Sequence, residues 1–290
     1  MIVAAILSAI ISTISPFWGL FIILSYGVKH HSKYVIYFVF AATLVVIRFI
    51  SPEILPFSVF SDVIFGVGVT AFLFFSILHK SQDYKTAILS VSIYNMFYGI
   101  IRFVVFKEFL LDTIKNVFEQ YNILLEEMVS GKNEYLVIFQ ESVEQTQAFF
   151  TDFYPAVWVS GIIIAVWLGS LMVSKKNVIK WDVKLFRMPY NFVYFLLAVL
   201  ALSIYTKTRI YGFNGLIMLV PLFLIQGISI MDFYWGKFFK KSKFLLVLLI
   251  ISIIINIPII ILIVLMGVAD IWFNFRKIHI MEEIDENHLS

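Results

Sequence analysis

Two arginines and one aspartate lie within long apolar segments of the sequence: Arg48, Asp62 and Arg102. An ionisable side chain in such a segment is costly to bury, so each of the three is a candidate for function. A guanidinium can hold a carboxylate or a phosphate through two parallel hydrogen bonds. We therefore predict a cavity for a small anionic or zwitterionic ligand beside these residues. In the alternative, Asp62 neutralises one arginine or the side chains reach to the membrane interface.

Two more polar residues, Asn95 and Tyr98, precede Arg102 at steps of three and four. Residues at these steps share one face of a helix, so they extend the same polar stripe. The ligand-binding candidates are thus Arg48, Asp62, Asn95, Tyr98 and Arg102. The sequence contains no H-E-x-x-H, nucleophile-elbow or phosphate-loop motif, and its histidines are scattered. We predict a non-enzymatic protein without catalytic residues, metal or cofactor.

The composition requires a lipid solvent for most of the chain. Of 290 residues, 61% are hydrophobic and 14% are charged, whereas soluble domains are about half apolar and a quarter charged. The absence of cysteine excludes disulfides and thiolate ligands, and a net charge of +3 gives no reason to expect nucleic acid as a partner. We predict a multi-pass protein of the bacterial cytoplasmic membrane, with the lipid bilayer as its first partner.

The apolar segments predict an all-α, polytopic fold with about eight transmembrane helices. In order, they cover about residues 2–27, 34–50, 62–78, 86–106, 155–173, 189–205, 213–233 and 244–267. Ser15 and Pro16 interrupt the first span, which predicts either a kink or two half-helices. Asn256 and Pro258 predict a kink in the last span.

Between the fourth and fifth spans, an amphipathic segment is interrupted by turn residues at 130–133, which predicts a helical hairpin. The division is therefore 1–106, an N-terminal four-span half; 107–153, the hairpin; 154–269, a C-terminal four-span half; and 270–290, a polar tail. The hairpin is acidic, whereas strongly basic turns follow spans one, three, five and seven. This alternation places the hairpin outside the cytoplasm. Strict counting puts both termini outside, and two half-helices at the start would move the N-terminus inside.

Two features are candidate docking surfaces for a membrane-protein partner or a second copy of the chain. Ala5 and Ala9 are small residues at a spacing that allows two helices to approach closely, either within the fold or between proteins. The hairpin carries an apolar stripe that either packs on its own second helix or docks an envelope partner: Leu110, Ile114, Val117 and Tyr121.

The C-terminal half carries a set of motifs. Prolines open the fifth and sixth spans at Pro155 and Pro189, and the seventh span contains polar and small residues. The remaining positions are Asn214, Gln226, Gly227, Gly267, Asp270, Trp272 and Arg276. Asp270 and Arg276 are predicted to pair as a clasp over the end of the last span.

These motifs resemble those of the YybS-like family of bacterial membrane proteins. That family is similar to the substrate-binding S components of energy-coupling factor transporters and, more distantly, to rod-shape scaffold proteins. The resemblance implies membrane-embedded binding rather than catalysis, and it likens Ala5 and Ala9 to the face by which S components dock. We expect a transporter-like or substrate-binding component for a small solute or lipid-derived ligand. The alternative is an envelope scaffold that recruits partners through the hairpin.

Overall fold

The protein folds into packed helices of very different lengths. The structure, a computed structural model, describes residues 2–26, 33–51, 53, 55–128, 133–175, 179, 181–242, 251 and 255–277. The α-helices in this part of the chain include α1 (Ile2–Ile14), α2 (Pro16–Tyr26), α3 (Lys33–Ile50), α4 (Phe57–Ser61), α5 (Thr70–Ser81), α6 (Tyr84–Met128), α7 (Asn133–Ser174), α8 (Phe192–Ile204), α9 (Arg209–Lys241) and α10 (Ile257–Phe273). A π-helix, Asp62–Val69, joins α4 to α5, and a 3₁₀ turn, Val183–Leu185, precedes α8. The described residues contain no β-strand.

Four helical segments of the described chain are long and apolar enough to cross a membrane. They are Phe57–Ser81, Tyr84–Leu125, Phe139–Ser174 and Arg209–Phe238. The first of these combines α4, the π-helix and α5. Five shorter apolar helices accompany them, including α8 and most of α3. The prediction of an all-helical membrane protein is confirmed, and the number of crossings stays a prediction.

The predicted first span consists of two helices that fold back on each other. Ser15 separates α1 from α2, and Pro16 takes the first helical position of α2, where its missing N–H is harmless. The Ser8 hydroxyl donates a 2.7 Å hydrogen bond to the carbonyl of Gly19, and a Cβ atom on Gly19 would collide with Ser12. A single span over residues 2–27 is therefore wrong, and the structure contains the two half-helices.

The segment predicted as a hairpin continues the two longest helices. Phe106 interrupts α6 with a non-helical backbone (φ −110°, ψ 22°), which coincides with the predicted boundary at 106. The predicted boundary at 153 instead falls inside α7. Beyond Phe106 the two helices still touch, with the rings of Phe118 and Phe150 6.1 Å apart. The predicted turn residues 130–132 lie outside the described residues, and the side of the membrane stays a prediction.

Helix α7 lies at the centre of the packing. It contacts α2, α6 and α9, while α8 and α10 pack on α9. Glycines allow the closest approaches: a Cβ atom on Gly99 would meet Val159, and one on Gly215 would meet Val199. Small residues at helix interfaces are expected in lipid, where close contact replaces the hydrophobic effect as the cause of association.

Burial and helix boundaries bear on three predictions about surfaces and kinks. Ala5 and Ala9 are fully buried within the chain, which matches the alternative in which these small residues allow close packing within the fold. In the predicted hairpin stripe, Leu110 and Ile114 are also buried, whereas Val117 and Tyr121 are 57% and 52% exposed. Asn256 and Pro258 stand at the start of α10, where proline suits the first turn of a helix. Ile255 just before them is also helical and residues 252–254 lie outside the described part of the chain, so the kink stays a prediction.

Candidate functional site

Asp62 and Arg102 form a buried ion pair. The π-helix presents Asp62 to α6, where Arg102 contacts both carboxylate oxygens. The Nη2–Oδ2 distance is 2.6 Å. Tyr98, one helical turn before Arg102, donates to Asp62 Oδ1 at 3.1 Å, and Ser61 lies 3.1 Å from the Tyr98 hydroxyl. A π-helical segment is rare and frequently occurs at functional sites.

The Arg102 side chain is enclosed by aromatic residues of α7. Its guanidinium lies 5.1 Å from the ring centre of Tyr154 and 5.0 Å from that of Trp158, and Nη2 also donates to the Tyr154 hydroxyl at 3.1 Å. Nη1 is buried without a described partner. Since Asp62 occupies the edge that would hold a ligand carboxylate, this cluster matches the alternative in which Asp62 neutralises an arginine.

The other predicted ligand residues lie apart from this ion pair. Asn95 exchanges hydrogen bonds with Thr70 of α5 at 2.9 and 3.1 Å, so it joins α6 to α5. Arg48 is half-buried on α3 and is not a partner of Asp62. The structure thus brings together Asp62, Tyr98 and Arg102 and leaves Asn95 and Arg48 outside.

A groove of about 860 Å³ lies on the opposite side of α6. Along one wall, α6 contributes Ile93, Phe97, Ile100 and Val104. Along the other, α8 contributes Phe192, Phe195, Val199 and Leu202. Helices α7 and α9 form its floor, because α6 packs on α7, α7 on α9, and α9 on α8. Phe97 and Val104 are 66% and 71% exposed, so the groove opens sideways toward the surroundings of the helices.

The groove carries charged side chains at one end, here called its polar end, whereas Asn191 lines it at the start of α8. Lys107 and Asp152 line it there, together with Thr151 and Asn214. The Asn214 amide nitrogen donates to the carbonyls of Asp152 and Ile210, both at 2.9 Å, and its oxygen is buried without a described partner. The site therefore combines a long apolar trough with charged and hydrogen-bonding side chains at its end.

The groove is distinct from the predicted ligand site, because none of the five ligand-binding candidates lines it. Helical periodicity puts Arg102, Tyr98 and Asn95 on one face of α6 and the groove residues on the opposite face. The apolar steps from Ile93 through Phe97, Ile100 and Val104 were visible in the sequence, but they are also typical of a face toward lipid. Lys107 and Asp152 lie within the segment 107–153, for which the sequence predicts a hairpin rather than the end of a ligand site.

A family model described as a predicted membrane protein, DUF2232, matches residues 1–271. The chain belongs to the DUF2232 family. This membership and the long apolar helices establish a membrane-integral protein. No curated protein matched the chain, and no solved structure matched it.

The DUF2232 chain has a second buried polar cluster, around Arg276. Arg276 Nη2 and Asp270 Oδ2 are 2.7 Å apart, so the predicted clasp is present. Arg276 also donates to the carbonyls of Lys184 and Phe186, at 2.6 and 2.9 Å. Gln226 donates to Asp270 at 3.1 Å and accepts from the Met188 amide at 3.0 Å.

These hydrogen bonds satisfy polar backbone groups in a non-helical stretch of the DUF2232 fold. Between the 3₁₀ turn and α8 the chain runs along α9, and Phe186 and Met188 are buried. The Ser229 hydroxyl of α9 donates to the carbonyls of Val183 and Phe186 in the same stretch. Buried backbone outside a helix needs such partners when no water can reach it. The cluster is therefore structural.

The remaining motif positions of this DUF2232 chain take part in helix packing, line the groove or lie at the surface. Gly227 and Gly267 mark the point where α9 and α10 cross, because a Cβ atom on either would collide with a backbone oxygen of the other helix. Pro155 lines the groove. Pro189 accepts a turn bond from Phe192 at the start of α8, and Trp272 is exposed on α10.

Proposed function

We propose that this protein is a non-enzymatic, membrane-embedded component that binds the hydrocarbon chain of an amphiphile in the groove between α6 and α8. The observation that carries the proposal is the groove itself: an apolar trough, open along its side and polar at one end. A small solute would leave most of its apolar wall uncovered.

The dimensions of the groove suit an extended hydrocarbon chain. On α6 the apolar wall runs from Ile93 to Val104, about 16 Å at 1.5 Å per residue. Its volume of about 860 Å³ falls within the 300–1,000 Å³ that is usual for ligand sites. Side chains of α8 cover the opposite wall, so a chain lying in the trough is contacted on both sides.

The resemblance to the YybS-like family and to S components supports the same class of function. S components bind their substrates within the membrane, and binding of a lipid-derived ligand is consistent with a transporter-like role. The protein would then deliver or present an amphiphile rather than transform it.

Two adjacent valines of α6 provide a matched test. Val104 lines the groove and Val105 does not, and they are 71% and 63% exposed. A tryptophan at 104 would exclude at least two methylenes of a bound chain, each worth about 0.8 kcal/mol. We expect V104W to lower the affinity for dipalmitoyl phosphatidylethanolamine about tenfold, measured by native mass spectrometry of the full chain in detergent. V105W should leave it unchanged.

A second pair repeats the comparison on α8, where Leu202 lines the groove and Leu200 does not. They are similarly exposed, at 41% and 39%. L202W should behave like V104W, and L200W like V105W. Equal lipid binding by all four variants would refute the groove as the site.

The scaffold alternative is favoured by one observation. Val117 and Tyr121 remain exposed on the part of α6 beyond Phe106, among acidic residues, where an envelope partner or a second copy has access to them. A stable complex that persists in V104W and disappears when both residues are replaced by glutamate would support this alternative over the first.

A further inference from the structure

The polar end of the groove carries two opposite charges that do not form an ion pair with each other. Lys107 of α6 and Asp152 of α7 both line it and both are exposed. Among the described residues, no ion pair joins Lys107 to Asp152, so their charged atoms are more than 4.0 Å apart. A ligand lying between them meets a cation on one side and an anion on the other.

Beside Asp152 the groove is rich in hydrogen-bond acceptors. Pro155 has no N–H to donate to the carbonyl of Thr151, which would otherwise be its helical partner. The Asn214 amide faces two carbonyls, of Asp152 and Ile210, and only its nitrogen can donate to them. Its oxygen is therefore the atom that remains without a described partner. An acceptor buried in this way costs free energy until a donor reaches it.

An amphiphile that satisfies both features needs an anionic group and a cluster of N–H donors in one head group. A primary ammonium has three donors and a positive charge, whereas a quaternary ammonium has the charge and no donor. A lysine ammonium holds phosphate as a point charge. We infer that Lys107, Asp152, Thr151 and Asn214 select an amphiphile whose phosphate adjoins a primary amine, as in a phosphoethanolamine head group.

This inference rests on the proposed function, because the amine reaches Asp152 only when the hydrocarbon chain lies in the groove. The phosphate then lies toward Lys107, and the amine lies toward the Asp152 carboxylate, on the side of the groove that Asn214 also lines. The groove walls determine the affinity for the hydrocarbon chain. The polar end determines which head group is preferred among lipids with the same hydrocarbon chains.

The test compares three dipalmitoyl phospholipids, with ethanolamine, choline and glycerol head groups, on the full chain in detergent by native mass spectrometry. The ethanolamine lipid should bind about tenfold more tightly than the choline lipid. A charge-assisted hydrogen bond contributes enough free energy to account for this difference in affinity. D152N should reduce this preference to about twofold or less. K107Q should weaken all three lipids without changing their order.

Matched controls come from α6 beyond Phe106. Asp112 and Lys115 are exposed and do not line the groove, so D112N and K115Q should preserve both affinity and preference. Thermal unfolding of each variant checks that it folds. If D152N does not fold, the order of affinities for the three lipids, measured on the unmodified protein and on K107Q, still tests the inference.

Two results would overturn the inference while leaving the proposed function intact. One is equal affinity for ethanolamine and choline lipids when V104W still weakens both. The other is a preference for glycerol, which would mean that the acceptors receive hydroxyl groups. If V104W weakens none of the lipids, the proposed function itself fails.

Discussion

The ion pair between Asp62 and Arg102 joins two segments that the chain places far apart in sequence. Both side chains are about 5% exposed, so the carboxylate depends on the guanidinium and on the Tyr98 hydroxyl for its charge to be tolerated. Removing one member of a buried pair leaves the other uncompensated, which is more harmful than removing both.

We expect R102Q to destabilise the protein by about 3 kcal/mol, because Asp62 then remains buried and charged without a cation. D62N combined with R102Q should be less destabilised than R102Q alone. Chemical unfolding in detergent measures both, and the double-mutant cycle isolates the coupling. A double variant that loses the sum of the two single losses would contradict a direct interaction.

The sequence predicts part of this cluster and none of its aromatic enclosure. The steps from Asn95 to Arg102 place three polar residues on one face, and the neutralisation of an arginine by Asp62 was one of two alternatives. Tyr154 and Trp158 come from α7, and Thr70, the partner of Asn95, comes from α5. Which faces meet depends on how each helix is rotated against its neighbours, and the periodicity of one helix does not contain that information.

At the scale of elements, composition predicts which segments form apolar helices. It does not predict where the chain reverses direction between them. Ser15 and Pro16 predict a break, yet a kink and a reversal have the same sequence signature. The reversal depends on Ser8 and Gly19, which meet only after the chain has turned. Similarly, Pro155 stays inside α7, whereas Pro258 begins a helix, because tertiary contacts decide whether a proline is tolerated within a helix.

Glycines at the crossing of α9 and α10 test the packing between elements. G227A and G267A each place a methyl group against backbone oxygen, so we expect a loss of about 1–3 kcal/mol from overpacking. Gly161 of α7 has nothing within 4 Å of the position of a Cβ atom. G161A should therefore be neutral or stabilise by up to about 1 kcal/mol, because alanine favours helix. Thermal unfolding in detergent compares the three, and equal effects would contradict the close crossing.

At the scale of the molecule, the two ends of the helical body differ in charge. Acidic residues crowd α6 and α7 beyond Phe106, and lysines and arginines follow α7. Helices α7 and α9 run parallel, since Asp152 meets Asn214 and Ser160 meets Ile217. The polar end of the groove thus lies on the side of the acidic segment, and the Arg276 cluster lies toward the basic one.

The N-terminus belongs to the basic end. Leu24 of α2 contacts Gly169 near the end of α7. Because Ser8 meets Gly19 across the break at Ser15, α1 runs back along α2 and its first residues point toward the same end. The charge rule puts basic connections in the cytoplasm. We therefore propose a cytoplasmic N-terminus, as the half-helix alternative implies, and an acidic segment outside.

Because the chain contains no cysteine, a single introduced cysteine reports the side on which it lies. With a membrane-impermeant maleimide, we expect E119C to be labelled in intact cells, and D182C and I2C only after permeabilisation. Labelling in denaturant controls for the reactivity of each thiol. Protection of E119C together with labelling of D182C would invert the orientation. The polar end of the groove would then face the cytoplasm, so an amphiphile would enter from the inner leaflet rather than the outer one.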